Sequence, residues 1–231
     1  LQDLWEIGTD PDIIIKLIDN QFTICNNLKV LDLGCGKGAV SIKVAEKFGC
    51  HCNGIDAIYE FIDYAKEKAI EHKVEHLCKF KTGDIREKIK SLSTYDIIIL
   101  GAIGPVFGDY YKTLTTLSRC LNDKGAFIID DGYIENDSDY IHPLIQKQET
   151  IIKQIDSAGF QLADDAVIQK DNIKNSDDYI FENLKMRCNE LIDKYPNKKK
   201  IFTNYIKKQE EENYVLENKV ICSTMVIKRK I

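Results

Sequence analysis

KVLDLGCGKGAV, residues 29–40, is a short apolar run carrying one acid, Asp32. It stops at Gly34, Gly36 and Gly38, then resumes with apolar residues at helical spacing. A strand that ends in such a turn and passes straight into a helix leaves uncovered main chain and free N–H groups at the carboxyl edge of a sheet. A ligand can lie against that backbone. Gly34, Gly36 and Ala39 alone also satisfy a dinucleotide-binding spacing, so the turn does not by itself choose the ligand. Asp32 helps to choose, because an acid just before the turn suits a cationic amine and repels a pyrophosphate. Lys37 reads as a solvated side chain at the start of the helix.

Outward from this turn, short runs rich in Ile, Val and Leu alternate with segments of helical period, the pattern of a parallel sheet covered on both faces. The spacing predicts strands over 29–34, 51–56, 77–81, 95–100 and 125–131. Between them Val40, Val44, Ala45 and Phe48 share a helical face, as do Ile58, Phe61, Ile62, Ala65 and Ala69, and later Tyr110, Leu114, Leu117 and Leu121. A helix over 144–158 ends at Gly159, a left-handed cap. FQLADDAVIQK and VICSTMVIKRK read as two more strands. About 48 residues separate them, too many for a plain hairpin loop, and Ile180, Leu184, Cys188 and Leu191, then Ile201, Phe202, Tyr205 and Ile206, repeat at helical spacing. We expect one domain over 1–231, with an N-terminal helical segment in 1–28 (Pro11 at an early helical position) and a helical insertion over 171–218.

Two further acids stand at predicted strand ends. Asp56 closes the second strand, about 18 residues past Gly38, where a carboxylate can accept two hydrogen bonds from a ribose diol. Asp84 follows the third. Each taken alone is equally a helix N-cap or a loop charge. Together they fit a ligand with an amine, a ribose and a purine edge.

VLDLGCGKG, GIDAI, KTGDI and YDIIILGAIG together resemble the cofactor-binding segments of class I S-adenosylmethionine-dependent methyltransferases, over roughly residues 29–135. The resemblance implies a Rossmann-like seven-stranded α/β sheet, helices on both faces, with the last strand antiparallel and inserted between the fifth and sixth. It implies S-adenosyl-L-methionine as cofactor, with Gly34, Gly36 and Gly38 along its methionine part and Asp32 near its amine. Asp56 holds the ribose with Ile58 nearby, Asp84 and Ile85 border the adenine, and Gly101 completes the wall.

Methyl transfer from a sulfonium is an in-line displacement that needs alignment and exclusion of water more than a nucleophilic side chain. If the acceptor keeps a proton, Asp130, Asp131, Tyr133 and His142, at or beyond the fifth strand, are candidate bases. Metal-dependent relatives carry an acid at the end of the fourth strand; here that place is Leu100-Gly101, so no metal is expected. Relatives that methylate nucleic-acid bases carry an Asn or Asp, two prolines and an aromatic after that strand, where this chain has GAIGPVF. The insertion, emerging beside the cofactor edge, is expected to form a lid, with Phe181, Leu184, Tyr205 or Tyr214 and the N-terminal Trp5 closing on a small acceptor.

The 32 basic and 37 acidic side chains, net −5, offer no general attraction to nucleic acid or an anionic membrane. The eight cysteines are too dispersed for a disulfide framework, and Cys50-His51-Cys52 lacks a second ligand pair for zinc. No apolar run approaches the roughly 18–20 residues that span a bilayer, and with no secretory pattern at the N-terminus a cytoplasmic protein is expected. A nicotinamide-dependent oxidoreductase could share the sheet and Asp56, though Asp32 and Gly38 fit it poorly. A binding subunit that has lost turnover remains the third reading.

Overall fold

The computed structural model describes residues 4–230. Its centre is a seven-stranded sheet of order β3-β2-β1-β4-β5-β7-β6, formed by β1 (Lys29–Leu33), β2 (His51–Asp56), β3 (Cys78–Thr82), β4 (Tyr95–Gly101), β5 (Leu121–Tyr133), β6 (Phe160–Val167) and β7 (Ile221–Arg229). The first five strands pair in parallel. β7 runs antiparallel to both neighbours, so β6 points the same way as β1–β5, and its carboxyl end reaches the edge where the glycine turn lies. This is the methyltransferase form of the Rossmann-like sheet.

Alternation along the central strands builds a core on each face. Val30, Ile97 and Ile99 pack with α1 (Pro11–Gln21), α2 (Ala39–Phe48) and α3 (Tyr59–Glu71). Leu31, Leu33, Ile98 and Leu100 face the other way, against α4 (Ile85–Lys88), α5 (Tyr110–Leu117) and α6 (Gln148–Ser157). Local signals place the helix ends. Pro11 opens α1 behind an Asp10 cap, and left-handed glycines bound α2, Gly38 before it and Gly49 after it. Cys50 and Cys52 place their sulfurs 4.0 Å apart inside the first core, and all eight cysteines are free thiols.

Three segments depart from the sequence expectation. β5 starts at Leu121 rather than 125, because Leu121 pairs with Tyr95 across a bulge. The helix expected over 144–158 starts only at Gln148; residues before it form a loop closed by the Ile134–Lys147 bridge. Lys37 is not solvated but 5% exposed, its ammonium 2.6 Å from the Leu4 carbonyl oxygen.

From β6 the chain enters α7 (Lys170–Lys194), turns at residues 195–198, and returns through α8 (Lys199–Lys219) to β7. The two long helices pack chiefly on each other. Among the described residues no helix is long and apolar enough to cross a membrane.

Candidate functional site

Gly34 (φ +74°), Gly36 (φ +52°) and Gly38 (φ +79°) all adopt left-handed backbone, for distinct physical reasons. A Cβ on Gly34 would stand 2.4 Å from Ile103 Cγ2 and one on Gly38 2.9 Å from both Ala65 Cβ and Phe80 Cζ, whereas one on Gly36 would meet nothing within 4 Å. The outer two glycines thus permit close packing, and the middle one leaves its surface open at the carboxyl edge of the sheet. The turn is pinned to β2: the N–H groups of Gly34 and Cys35 donate to the Ile55 carbonyl oxygen, and that of Gly36 to Asp56 Oδ2 at 2.9 Å.

Asp56 also accepts from the Ile58 N–H at 2.9 Å, which fixes the carboxylate while leaving lone pairs for a ligand hydroxyl. Ile58, whose N–H caps on Asp56, has an apolar side chain that is 43% exposed. Asp32 lies buried beneath the turn, 3% exposed, accepting from the Ser41 hydroxyl at 2.7 Å. Burial, with the Asp56 charge adding, lifts its carboxyl to about 6 against the Ser41 bond. A buried acid in that state favours a bound cation. Asp84 caps α4 through the Arg86 N–H and pairs with the Arg86 side chain; that pair holds its carboxyl below the usual range. An adenine amine would have to share this exposed acid with Arg86. Ile85 is buried behind it, in the second core.

The segment 4–9 straps the turn. Trp5 Nε1 donates to the Lys37 carbonyl oxygen at 3.1 Å, and the Lys37 ammonium lies over the Phe61 and Tyr64 rings. A Cβ on Gly101 would stand 2.6 Å from Thr9 Oγ1, so this glycine, at the end of β4, admits the strap. Ala102 follows at φ +53°, a strained conformation for a residue with a side chain.

Beside this groove, rather than over it, opens a cavity of about 710 Å³. Ala102, Ile103 and Gly104 line it, Ile103 being the residue that packs against Gly34; Asp130, Asp131, Tyr110 and Gln146 line it as well, and α8 contributes Gln209, Val215 and Leu216. Asp130, opposite Gly101 in the sheet, is 9% exposed and accepts from the Thr224 hydroxyl at 3.3 Å. Asp131 accepts from the Tyr110 hydroxyl at 3.0 Å and the Gly132 N–H at 2.8 Å. Burial raises both carboxyls and keeps the Tyr110 phenol protonated.

Other expected residues stand elsewhere. His142 lines the cavity, but its Nδ1 accepts two backbone N–H bonds, from Leu144 and Ile145, which puts the ring proton on Nε2. That is the geometry of a turn cap rather than of a ready base. Tyr133 is buried in the second core. Phe181 packs under Lys185, Leu184 is buried within the α7 packing, and Tyr205 and Tyr214 are exposed; none of these five is among the residues lining the cavity. Trp5 serves the glycine turn. Among the described residues no group of three or more His, Cys, Asp or Glu side chains is arranged to hold a metal.

A methyltransferase-domain family profile matches residues 24–185. An uncharacterized methyltransferase of Bacillus subtilis is 28% identical over 109 residues, 47% of this chain and 42% of its own length. The matched region thus spans less than half of that relative. A methyltransferase from Thiobacillus denitrificans, described in complex with S-adenosyl-L-homocysteine, superposes with a TM-score of 0.82 at 14% identity, over 99% of this chain and 96% of its own. One from Geobacter sulfurreducens, described in the same complex, gives 0.79 at 16% identity, over 99% and 96%.

Proposed function

The chain belongs to the methyltransferase-domain family, and on that premise we propose that it transfers a methyl group from S-adenosylmethionine to a small-molecule acceptor in the cavity under α8. When bound, the donor supplies a methyl carbon on a positively charged sulfur. The observation that carries the reading is the open face of Gly36, its N–H tied to Asp56, in a turn whose Gly34 lies against Ile103, one of the residues lining the cavity.

The chain's own residues then divide the work. Gly34, Gly36 and Gly38 let the donor approach the main chain, with Asp32 beneath its amine. Asp56 takes the ribose beside Ile58, Asp84 and Ile85 border the purine, and Gly101 bounds the groove. The structural neighbours described with S-adenosyl-L-homocysteine support this choice of donor. α8 excludes water from the acceptor side, which strengthens every charge interaction inside. Alignment and desolvation suffice for displacement at a sulfonium, so no metal is invoked. A concave cavity partly roofed by α8 favours a small acceptor over a nucleic acid, in keeping with the net charge of −5.

The test is calorimetry with S-adenosylhomocysteine followed by a screen of small metabolites for S-adenosylhomocysteine release. Binding with turnover supports the reading. Binding with no turnover for any acceptor would favour a binding subunit, and a preference for nicotinamide dinucleotides would reject it.

A further inference from the structure

The cavity beside α8 is where the second core reaches solvent: Leu100, Tyr110, Ile129 and Ile151, all members of that core, are also lining residues. The charged side chains on the lining are already engaged within the chain. Asp109 accepts the Lys112 N–H at the start of α5, Asp131 accepts from Tyr110 and Gly132, and Asp130 from Thr224. On α8, Lys208 pairs with Glu212 at 3.2 Å and Glu211 with Lys207 at 3.7 Å. What the wall leaves unmatched is aliphatic surface. Leu144, a lining residue, is 64% exposed, and Leu216 of α8 is only half-buried. Large apolar side chains left in water on a concave wall forgo burial that an apolar ligand supplies. A sugar or a free amino acid of the same size would instead bring polar groups to a wall whose charges are spent, and would lose their hydration without full return.

We propose that the acceptor carries an aliphatic chain, which lies in this cavity along Ile129, Ile151, Leu216 and Leu144 with its reactive end at Ile103. The proposal rests on the methyltransferase reading and names its substrate class. Ile103 ties the two parts of the site together, since it packs on Gly34 of the donor turn and also lines the cavity. A chain held along the aliphatic wall therefore brings its head to the donor side. The volume of about 710 Å³ falls within the roughly 300–1,000 Å³ of pockets that enclose a small organic ligand. Burial of apolar surface is non-directional and grows with the area removed from water, so the length of the chain, more than the chemistry of the head, sets affinity.

The experiment measures, by equilibrium dialysis, the binding of straight-chain primary alcohols from butanol to octanol to the full chain loaded with S-adenosylhomocysteine. Affinity is expected to rise about fourfold with each added methylene, the equivalent of the roughly 0.8 kcal/mol that its burial supplies, while glycerol and glucose do not bind. Leu144→Ser changes an exposed position and should leave folding intact; Leu216→Ser changes the α8 side of the same wall. Each should weaken octanol binding about fivefold or more, leave butanol within about twofold, and bind S-adenosylhomocysteine as the parent does. Three results overturn the proposal: affinity independent of chain length, glycerol or glucose bound as tightly as octanol, or a dependence on chain length that neither variant changes. The series is repeated on the chain without S-adenosylhomocysteine. Failure of the parent to bind that product would reject the methyltransferase reading, whereas the dependence on chain length still reports whether the cavity takes an aliphatic chain.

Discussion

Trp5 and Lys37 clasp each other reciprocally: the indole donates to the Lys37 carbonyl oxygen at 3.1 Å, while the Lys37 ammonium donates to Leu4, next to Trp5, at 2.6 Å. Lys37 sits inside the glycine turn, so this clasp links the N-terminal strap to that turn and not to the cavity beside α8. Trp5→Phe removes one hydrogen bond and is expected to cost about 1 kcal/mol of stability. In calorimetry it should weaken S-adenosylhomocysteine binding several-fold while acceptor KM stays unchanged. A raised acceptor KM with intact homocysteine-product binding would return Trp5 to the acceptor site.

The glycines of the turn should separate packing from binding. Gly34→Ala meets Ile103 at 2.4 Å in left-handed backbone and is expected to cost about 3 kcal/mol. Gly36→Ala bears the backbone strain alone, about 1–2 kcal/mol, since nothing lies within 4 Å of its Cβ. Chemical denaturation of the two variants should rank them in that order; equal losses would mean that the turn is not packed as described.

Asp32 gives a pH dependence whose sign follows from its raised carboxyl, about 6 against 3.8. The charged form is disfavoured in the fold, by about 3 kcal/mol, so without ligand this penalty is fully present above pH 6 and fades as pH falls from 6 towards 4. A cationic amine bound above it would offset the penalty. Affinity for S-adenosylhomocysteine should therefore rise from pH 5 to pH 7 and then level off. Asp32→Asn should flatten that profile, raise the melting temperature of the free protein at pH 7.5 and weaken binding. A profile that Asp32→Asn leaves unchanged would place the amine elsewhere.

Much of this arrangement was legible in the sequence. The Ile and Val runs located the parallel strands because both faces of β1 and β4 are buried, and Asp32, Asp56 and Asp130 stood out as acids ending apolar runs. The burial of Lys37 was not legible, since it depends on a backbone carbonyl 33 residues away. Nor was the part α8 plays over the cavity: the apolar spacing at Ile201, Phe202, Tyr205 and Ile206 stops short of Gln209, Val215 and Leu216, and no side chain of α8 is fully buried. The aromatic residues expected there, Phe181 and Tyr205, do not line the cavity, to which α8 contributes Lys208, Gln209, Glu211, Glu212, Val215 and Leu216 instead.

The insertion can be tested by excision. β6 and β7 are antiparallel neighbours, and the Ile168 N–H donates to the Cys222 carbonyl oxygen, so a short turn can replace residues 170–219 and leave a hairpin. The shortened chain is expected to fold and to bind S-adenosylhomocysteine, with methyl transfer lost because α8 no longer covers the cavity. Unchanged turnover would show that α8 is not a lid.

The central claim is that the open face of Gly36, flanked by Asp32 and Asp56, receives a sulfonium methyl donor. Titrating S-adenosylhomocysteine into the full chain and its Gly36→Ala variant tests this most directly. We predict one-to-one binding by the parent and a loss of at least about tenfold in the variant, since a methyl group would fill space reserved for the ligand. No binding by the parent, or equal binding by both, would contradict it.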